Sequence, residues 1–243
     1  MNLKHLKNLI LIACLSNGIA TAQLIPVTFG SYSKVPEDFF GYNGANFVRA
    51  NEPNYNTLWV VDSLPSLHAN TIRYTAGLPG NYWDWQTGTF LKELPPNWIL
   101  PKDYDGINPK KSDLITFRAM VNRAIITPML SCNILCSNKE FQLAELFYAK
   151  GINIPIKYIE MGSELYHTRL NYVEVFPTPT DYALRANEWA SYFKSFPFFA
   201  NIKIGVVGAT QRPEESYSRR NTWTTDVAAT VDSDVDAIIL HYY

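Results

Sequence analysis

Short β-branched or aromatic runs alternate with longer stretches of helical spacing along most of this chain. That alternation restricts the possible folds more than any other feature of the sequence. Segments 40–48, 70–74, 125–130, 156–161, 202–207 and 237–240 read as strands. Between them, 57–67 reads as a helix with Leu58, Val61, Leu64 and Leu67 on one face, broken early by Pro65. Ser112 is placed to cap a helix that turns Leu114, Phe117, Met120, Val121 and Ala124 inward. Ser137-Asn138-Lys139-Glu140 reads as a capping box, opening a helix with Phe141, Ala144, Phe147 and Tyr148 inward and Gly151 at its end. The clearest amphipathic pattern is Tyr182, Ala186, Trp189, Phe193 and Phe196, stopped by Pro197, and 223–231 is a weaker helix. Segments 77–111 and 165–179 read as loops. Alternation of this kind implies parallel strands joined by right-handed helical crossovers, in an α/β fold. Two closures satisfy it: a doubly wound sheet or a (β/α)8 TIM barrel. Neither G-x-G-x-x-G nor G-x-x-x-x-G-K-[ST] is present, which removes the usual reason to favour the first.

The N-terminus belongs to a different kind of segment. Lys4 and Lys7 precede the apolar run 9–15, and Ala20-Thr21-Ala22 supplies small residues before Gln23. This order predicts a secretory signal over 1–22, cleaved near Ala22/Gln23, and a secreted or periplasmic product. The apolar run is too short for the roughly 20 residues of a bilayer span, and no later segment reads as one. Cleavage would remove two lysines from a chain with 21 basic and 22 acidic residues, leaving it mildly acidic. With no basic stripe, a nucleic-acid partner is not expected. Cys14 would leave with the signal, so Cys132 and Cys136 remain, either as an optional bridge or as two buried thiols. No His or carboxylate cluster adjoins them, and neither a metal nor a cofactor is expected. The remaining 23–243 suits one domain.

In (β/α)8 barrels reactive groups lie just beyond the C-terminal ends of the strands. Three strand ends here carry polar residues: Arg73, Ser163-Glu164, and His241-Tyr242-Tyr243. A buried parallel strand should read as continuous hydrophobics, as Ile238-Ile239-Leu240 does, so these polar groups need a reason. Glu164 follows Tyr158-Ile159-Glu160-Met161-Gly162 and sits where a substrate would lie. A Glu at a strand end also serves as a salt-bridge or cap residue; partly desolvated and beside a second carboxylate, it can hold a proton near neutral pH and donate it to a leaving oxygen.

These residues also carry a resemblance. Ile72-Arg73-Tyr74-Thr75-Ala76-Gly77, running on to Asn81-Tyr82-Trp83-Asp84-Trp85-Gln86-Thr87-Gly88, is similar to the L-R-Y-P-G-G…A-N-Y-W-D-W-x-x-G stretch of retaining (β/α)8 glycoside hydrolases of clan A. The α-L-arabinofuranosidases and the heparanase/β-glucuronidase-like enzymes are the nearest branches. Tyr158 to Leu165 resembles their strand-four E-x-G-N-E motif, and His241-Tyr242-Tyr243 their strand-six H-x-Y. The resemblance implies a double displacement on an oligo- or polysaccharide, with Glu164 as acid/base and a second carboxylate about 5 Å away as nucleophile. It further implies that Arg73, His241 and Tyr243 support that nucleophile, that Asn81 and Ser163 belong to the substrate-binding or supporting set, and that Trp83 and Trp85 stack on sugar faces, a packed loop core being the alternative for one of them. Two departures stand out. Ser163 replaces the Asn that contacts the sugar 2-hydroxyl in the family, and Thr75-Ala76 replaces Pro-Gly. The family's nucleophile belongs to strand seven, whereas the sequence ends at Tyr243, after strand six. The expectation is therefore an N-terminal fragment, an incomplete catalytic barrel over 23–243 without glycosidase activity of its own, with Glu160 or Asp84 left as a stand-in acid that no motif supports. The alternative is a secreted, non-catalytic carbohydrate-binding pseudoenzyme, favoured by Ser163. An extracellular adhesion module is a third reading.

Overall fold

A computed structural model describes residues 37, 40–48, 53–68, 70–75, 77–94, 98, 112–210 and 218–242. The predicted signal, the loop 99–111, Ala76 and Tyr243 lie outside these residues. Six strands form one sheet: β1 (Gly41–Asn43), β2 (Thr71–Tyr74), β3 (Thr127–Cys132), β4 (Tyr158–Met161), β5 (Lys203–Gly208) and β6 (Ala237–Leu240). Every neighbouring pair is parallel, and the spatial order is the chain order. A doubly wound sheet reverses its strand order at a switch point. This one never reverses. The winding is that of a barrel, in the form of a half-barrel of six strands.

Among the described residues six α-helices accompany the sheet: α1 (Leu58–Ser63), α2 (Leu114–Ala124), α3 (Lys139–Gly151), α4 (Leu170–Val175), α5 (Pro179–Lys194) and α6 (Ser218–Thr230). Alternate strand residues explain where the core lies. Ile72, Tyr74, Leu130, Cys132, Ile159, Met161, Ile204 and Val206 are all 0–1% exposed and form the dry layer with the helices. The residues between them, Arg73, Ser131, Glu160 and Gly205, share the opposite face, since side chains alternate along a strand. The strands thus differ from the expectation of apolar character on both faces. Period-two alternation reserves one face for polar groups.

Several element boundaries were also shifted by local chemistry. Residues 40–48 form only the short β1 and then a 3-10 turn over Gly44–Val48. Pro65 ends α1, as expected, and begins a 3-10 turn. The cap of α2 is Asp113, whose side chain accepts from Thr116 N–H at 2.9 Å, while Ser112 Oγ donates to the Phe47 carbonyl. Ile125 is the left-handed residue that ends α2 (φ 53°, 87% exposed), and β3 starts only at Thr127. The cap of α3 is Asn138, accepting from Phe141 N–H at 2.8 Å. The loop 165–179 contains α4, and Thr178 with Asp181 forms a capping box that opens α5.

The inward face of α3 needs a larger correction. Gln142, Leu143, Glu145, Leu146 and Ala149 are buried, whereas Ala144, Phe147 and Tyr148 are exposed. Gln142 is drawn in because its Oε1 accepts the buried Asn133 backbone N–H at 2.7 Å. Phe147 packs instead on Phe196 and Phe199 at the rim. Cys132 and Cys136 are free thiols.

Candidate active site

The polar face of the sheet gathers at its C-terminal edge. Glu160, in mid-β4, is fully buried, and Arg73 of β2 reaches across to it with Nε 2.6 Å from Oε2. On the other side, His241, directly after β6, places Nε2 3.3 Å from Glu160 Oε1. The same ring puts Nδ1 3.0 Å from Glu164 Oε1. Arg73, Glu160, His241 and Glu164 therefore form a line of alternating charge. The Glu160 and Glu164 carboxylates beside it raise the His241 pKa to about 9, so the ring is a cation at neutral pH, with Nδ1 hydrogen-bonded to Glu164 and Nε2 in ion-pair range of Glu160.

Glu164 is 9% exposed at the side chain and adopts φ 50°, a left-handed conformation for a non-glycine residue. Such conformations cluster at functional sites and persist where their surroundings impose them. The surroundings here are specific. Asn81 is completely buried and clasps the preceding residue: its Oδ1 accepts Ser163 N–H at 2.9 Å and its Nδ2 donates to the Ser163 carbonyl at 2.7 Å. The same Nδ2 lies 3.0 Å from Tyr172 Oη. Gly162, at φ 82°, has no room for a Cβ beside Leu165 and supplies the bend that brings the chain to the lip.

Of the residues singled out in the sequence, Arg73, Glu164 and His241 converge, with Glu160 between them. Asn81 joins them as a scaffold, holding backbone. Ser163 is fully buried and its Oγ has no hydrogen-bond partner, so its contribution is the clasped peptide and not an exposed sugar contact. Trp83 is corrected from a stacking platform to core. It is 3% exposed, edge-on to Tyr74 and Phe90, and its Nε1 points at Tyr74 Oη. Trp85 is likewise 7% exposed against Phe141 and Tyr148. Tyr243 lies outside the described residues. Two functional candidates went unread in the sequence. One is Glu160 as the central counter-ion, signalled by a charge in mid-strand. The other is His167, whose Nε2 lies 3.0 Å from Glu164 Oε2.

Among the described residues, no group of three or more His, Cys, Asp or Glu is arranged to hold a metal ion. No described helix is long and apolar enough to cross a membrane.

Fold and site together define an α/β barrel-type protein with a cluster of two glutamates, an arginine and a histidine at the C-terminal ends of its strands. Solved structures share this fold. A family 51 α-L-arabinofuranosidase from Bifidobacterium longum matches with a TM-score of 0.65 at 16% identity, over 90% of this chain and 46% of its own. The α-L-arabinofuranosidase from Thermotoga maritima, in an arabinose complex, matches at 0.61 and 16%, over 86% and 46%. The arabinofuranosidase from Xanthomonas axonopodis pv. citri matches at 0.61 and 15%, over 87% and 46%. At these identities the likeness is one of fold, and this chain spans less than half the length of each. No protein-family model matches the sequence, and no curated protein does.

Proposed function

We propose that the chain carries the acid/base half of a retaining glycoside hydrolase site, acting on O-glycosidic bonds of an oligo- or polysaccharide outside the cytoplasm after removal of a signal over 1–22. The observation that supports this reading best is the grip on Glu164. A carboxyl at the lip of β4 is held by His241 from the lip of β6, two strands away, beside the buried Arg73–Glu160 pair. Glu164 would protonate the glycosidic oxygen and then, as a base, activate the water that resolves a glycosyl-enzyme. Glu160 is unsuited to the nucleophile's role because it is fully buried and engaged by Arg73 and His241. The nucleophile is therefore assigned to none of the cluster's carboxylates.

The test uses the purified chain with aryl α-L-arabinofuranosides and arabino-oligosaccharides, followed by calorimetry and by release of the aryl group. Binding without turnover is expected, weakened about tenfold or more by Glu164→Gln and by Arg73→Ala. Turnover that Glu164→Gln abolishes would show that the chain holds a complete site. Affinity indifferent to both substitutions would overturn the carbohydrate reading and leave an adhesion module. Ser163, where related enzymes carry Asn, favours a second reading in which the cleft binds sugar without ever cleaving it.

A further inference from the structure

The left-handed conformation of Glu164 is one its own side chain does not favour, and the chain on both sides of it is held from elsewhere. On the N-terminal side Asn81 clasps both backbone groups of Ser163. On the C-terminal side the Leu165 carbonyl accepts from a guanidinium nitrogen of Arg219, in α6, at 3.0 Å. The other terminal nitrogen of that guanidinium donates to the Phe176 and Pro177 carbonyls, at 2.6 and 2.8 Å. One side chain thus joins the two ends of the excursion 165–177, which contains α4. The guanidinium lies 4.7 Å from the centre of the buried Trp223 ring, and Trp223 Nε1 donates to the Val207 carbonyl of β5 at 2.8 Å. The hold on Leu165 is therefore anchored to the sheet.

We propose that Arg219 is a positioning residue for Glu164: by holding the Leu165 carbonyl and closing the excursion 165–177 at its base, it completes with Asn81 a clamp that keeps Glu164 left-handed and its carboxyl at the lip of β4. This rests on reading Glu164 as the acid/base. With Ser163 and Leu165 both fixed, Glu164 has to bridge them, and it does so at φ 50°. A left-handed residue other than glycine persists only where its surroundings impose it, and these two holds come from separate elements, the turn after β2 and the start of α6. On other counts the position of Arg219 is unfavourable. It stands in the first turn of α6, where the helix dipole repels a cation. Burial lowers its pKa, and its buried Nε has no hydrogen-bond partner among the described residues. Three backbone carbonyls beside and beyond Glu164 are what a guanidinium gains there, and a planar fork is needed to reach them. Lysine, a point charge on a flexible stem, lacks that fork.

The experiment compares the intact chain with Arg219→Lys, Arg219→Ala and, as a control, Asn187→Ala. Asn187 ties the far end of α6, donating to the Thr230 carbonyl at 3.0 Å. Three quantities are read: the φ-dependent backbone NMR couplings of Glu164, amide hydrogen exchange over 165–177, and calorimetric affinity for an arabino-oligosaccharide. In both Arg219 variants the Glu164 couplings should leave the left-handed value, and the amides of 165–177 should exchange about tenfold faster or more. Affinity should fall about fivefold as the competent fraction drops to about a fifth. Asn187→Ala should leave all three at their wild-type values. Should Arg219→Ala fail to fold, Arg219→Lys decides, since it keeps the charge and removes only the fork. Wild-type couplings in the Arg219 variants would overturn the proposal. So would an equal displacement in Asn187→Ala, which would make the effect a general loosening of α6. Displaced couplings in a chain whose sugar affinity ignores Glu164→Gln would sink the hydrolase reading and leave the clamp standing. Affinity that depends on Glu164, with couplings unmoved in the Arg219 variants, does the reverse.

Discussion

Replacing His241 with glutamine removes the cation that stands between Glu160 and Glu164, and the consequence for stability depends on pH in a definite sense. Glu160 first, and then Glu164, raise the folded-state pKa of His241 from its ordinary 6.5 to about 9. A raised imidazole contributes its full stabilisation below the unfolded value and loses it as the pH climbs through the folded one. The window is thus bounded by 6.5 and about 9. A shift of that size corresponds to at most about 3 kcal/mol. Partial solvent access to the ring reduces this to about 2 kcal/mol. Urea unfolding of wild type and His241→Gln at closely spaced pH values measures the gap between them. Wild type should be the more stable at about pH 6, and its advantage should narrow by about 2 kcal/mol as the pH reaches about 9.5. A gap that stays constant over this range, or widens with pH, would refute the charge line described above.

Two further outcomes follow from the same reasoning. Burial, and next the negative charge of Asp84, raise the Glu145 carboxyl to about 8, so the folded protein loses stability as pH rises from the ordinary 4.5 toward that value. Glu145→Gln should flatten this slope and make the protein more stable than wild type at pH 8 by up to about 4–5 kcal/mol relative to their difference at low pH, read from denaturant midpoints. Asn81→Leu leaves the Ser163 N–H and carbonyl without their partner in a dry site, and should cost about 2–4 kcal/mol in thermal or urea unfolding while also weakening sugar binding.

Much of the frame was readable because it depends on local rules. The β6 segment 237–240 and the inward face of α2 follow from period alone. The convergence of Arg73, Glu164 and His241 follows from a rule of topology, that parallel strands end together. Sequence reasoning failed where a distant partner decides burial. Nothing local says that Gln142 will meet the Asn133 backbone and that α3 will bury nearly the opposite face, with Glu145 inside and Phe147 at the surface. Trp83 was read as a sugar platform through the resemblance of its motif, but Tyr74 and Phe90 enclose it. His167 was hidden because its approach to Glu164 depends on one left-handed residue, and a glutamate gives no warning of that conformation.

Tyr182 of α5 spans the mouth of the sheet. Its phenol donates to the Met161 carbonyl at 2.7 Å and accepts Val207 N–H at 2.8 Å, stapling β4 to β5 just as the two strands leave their shared ladder. The gap beneath Glu164 is therefore gauged by a helix from outside the barrel. Drift in the tilt of α5, arising from surface changes far from any sugar, would widen or pinch the cleft without touching a residue that lines it.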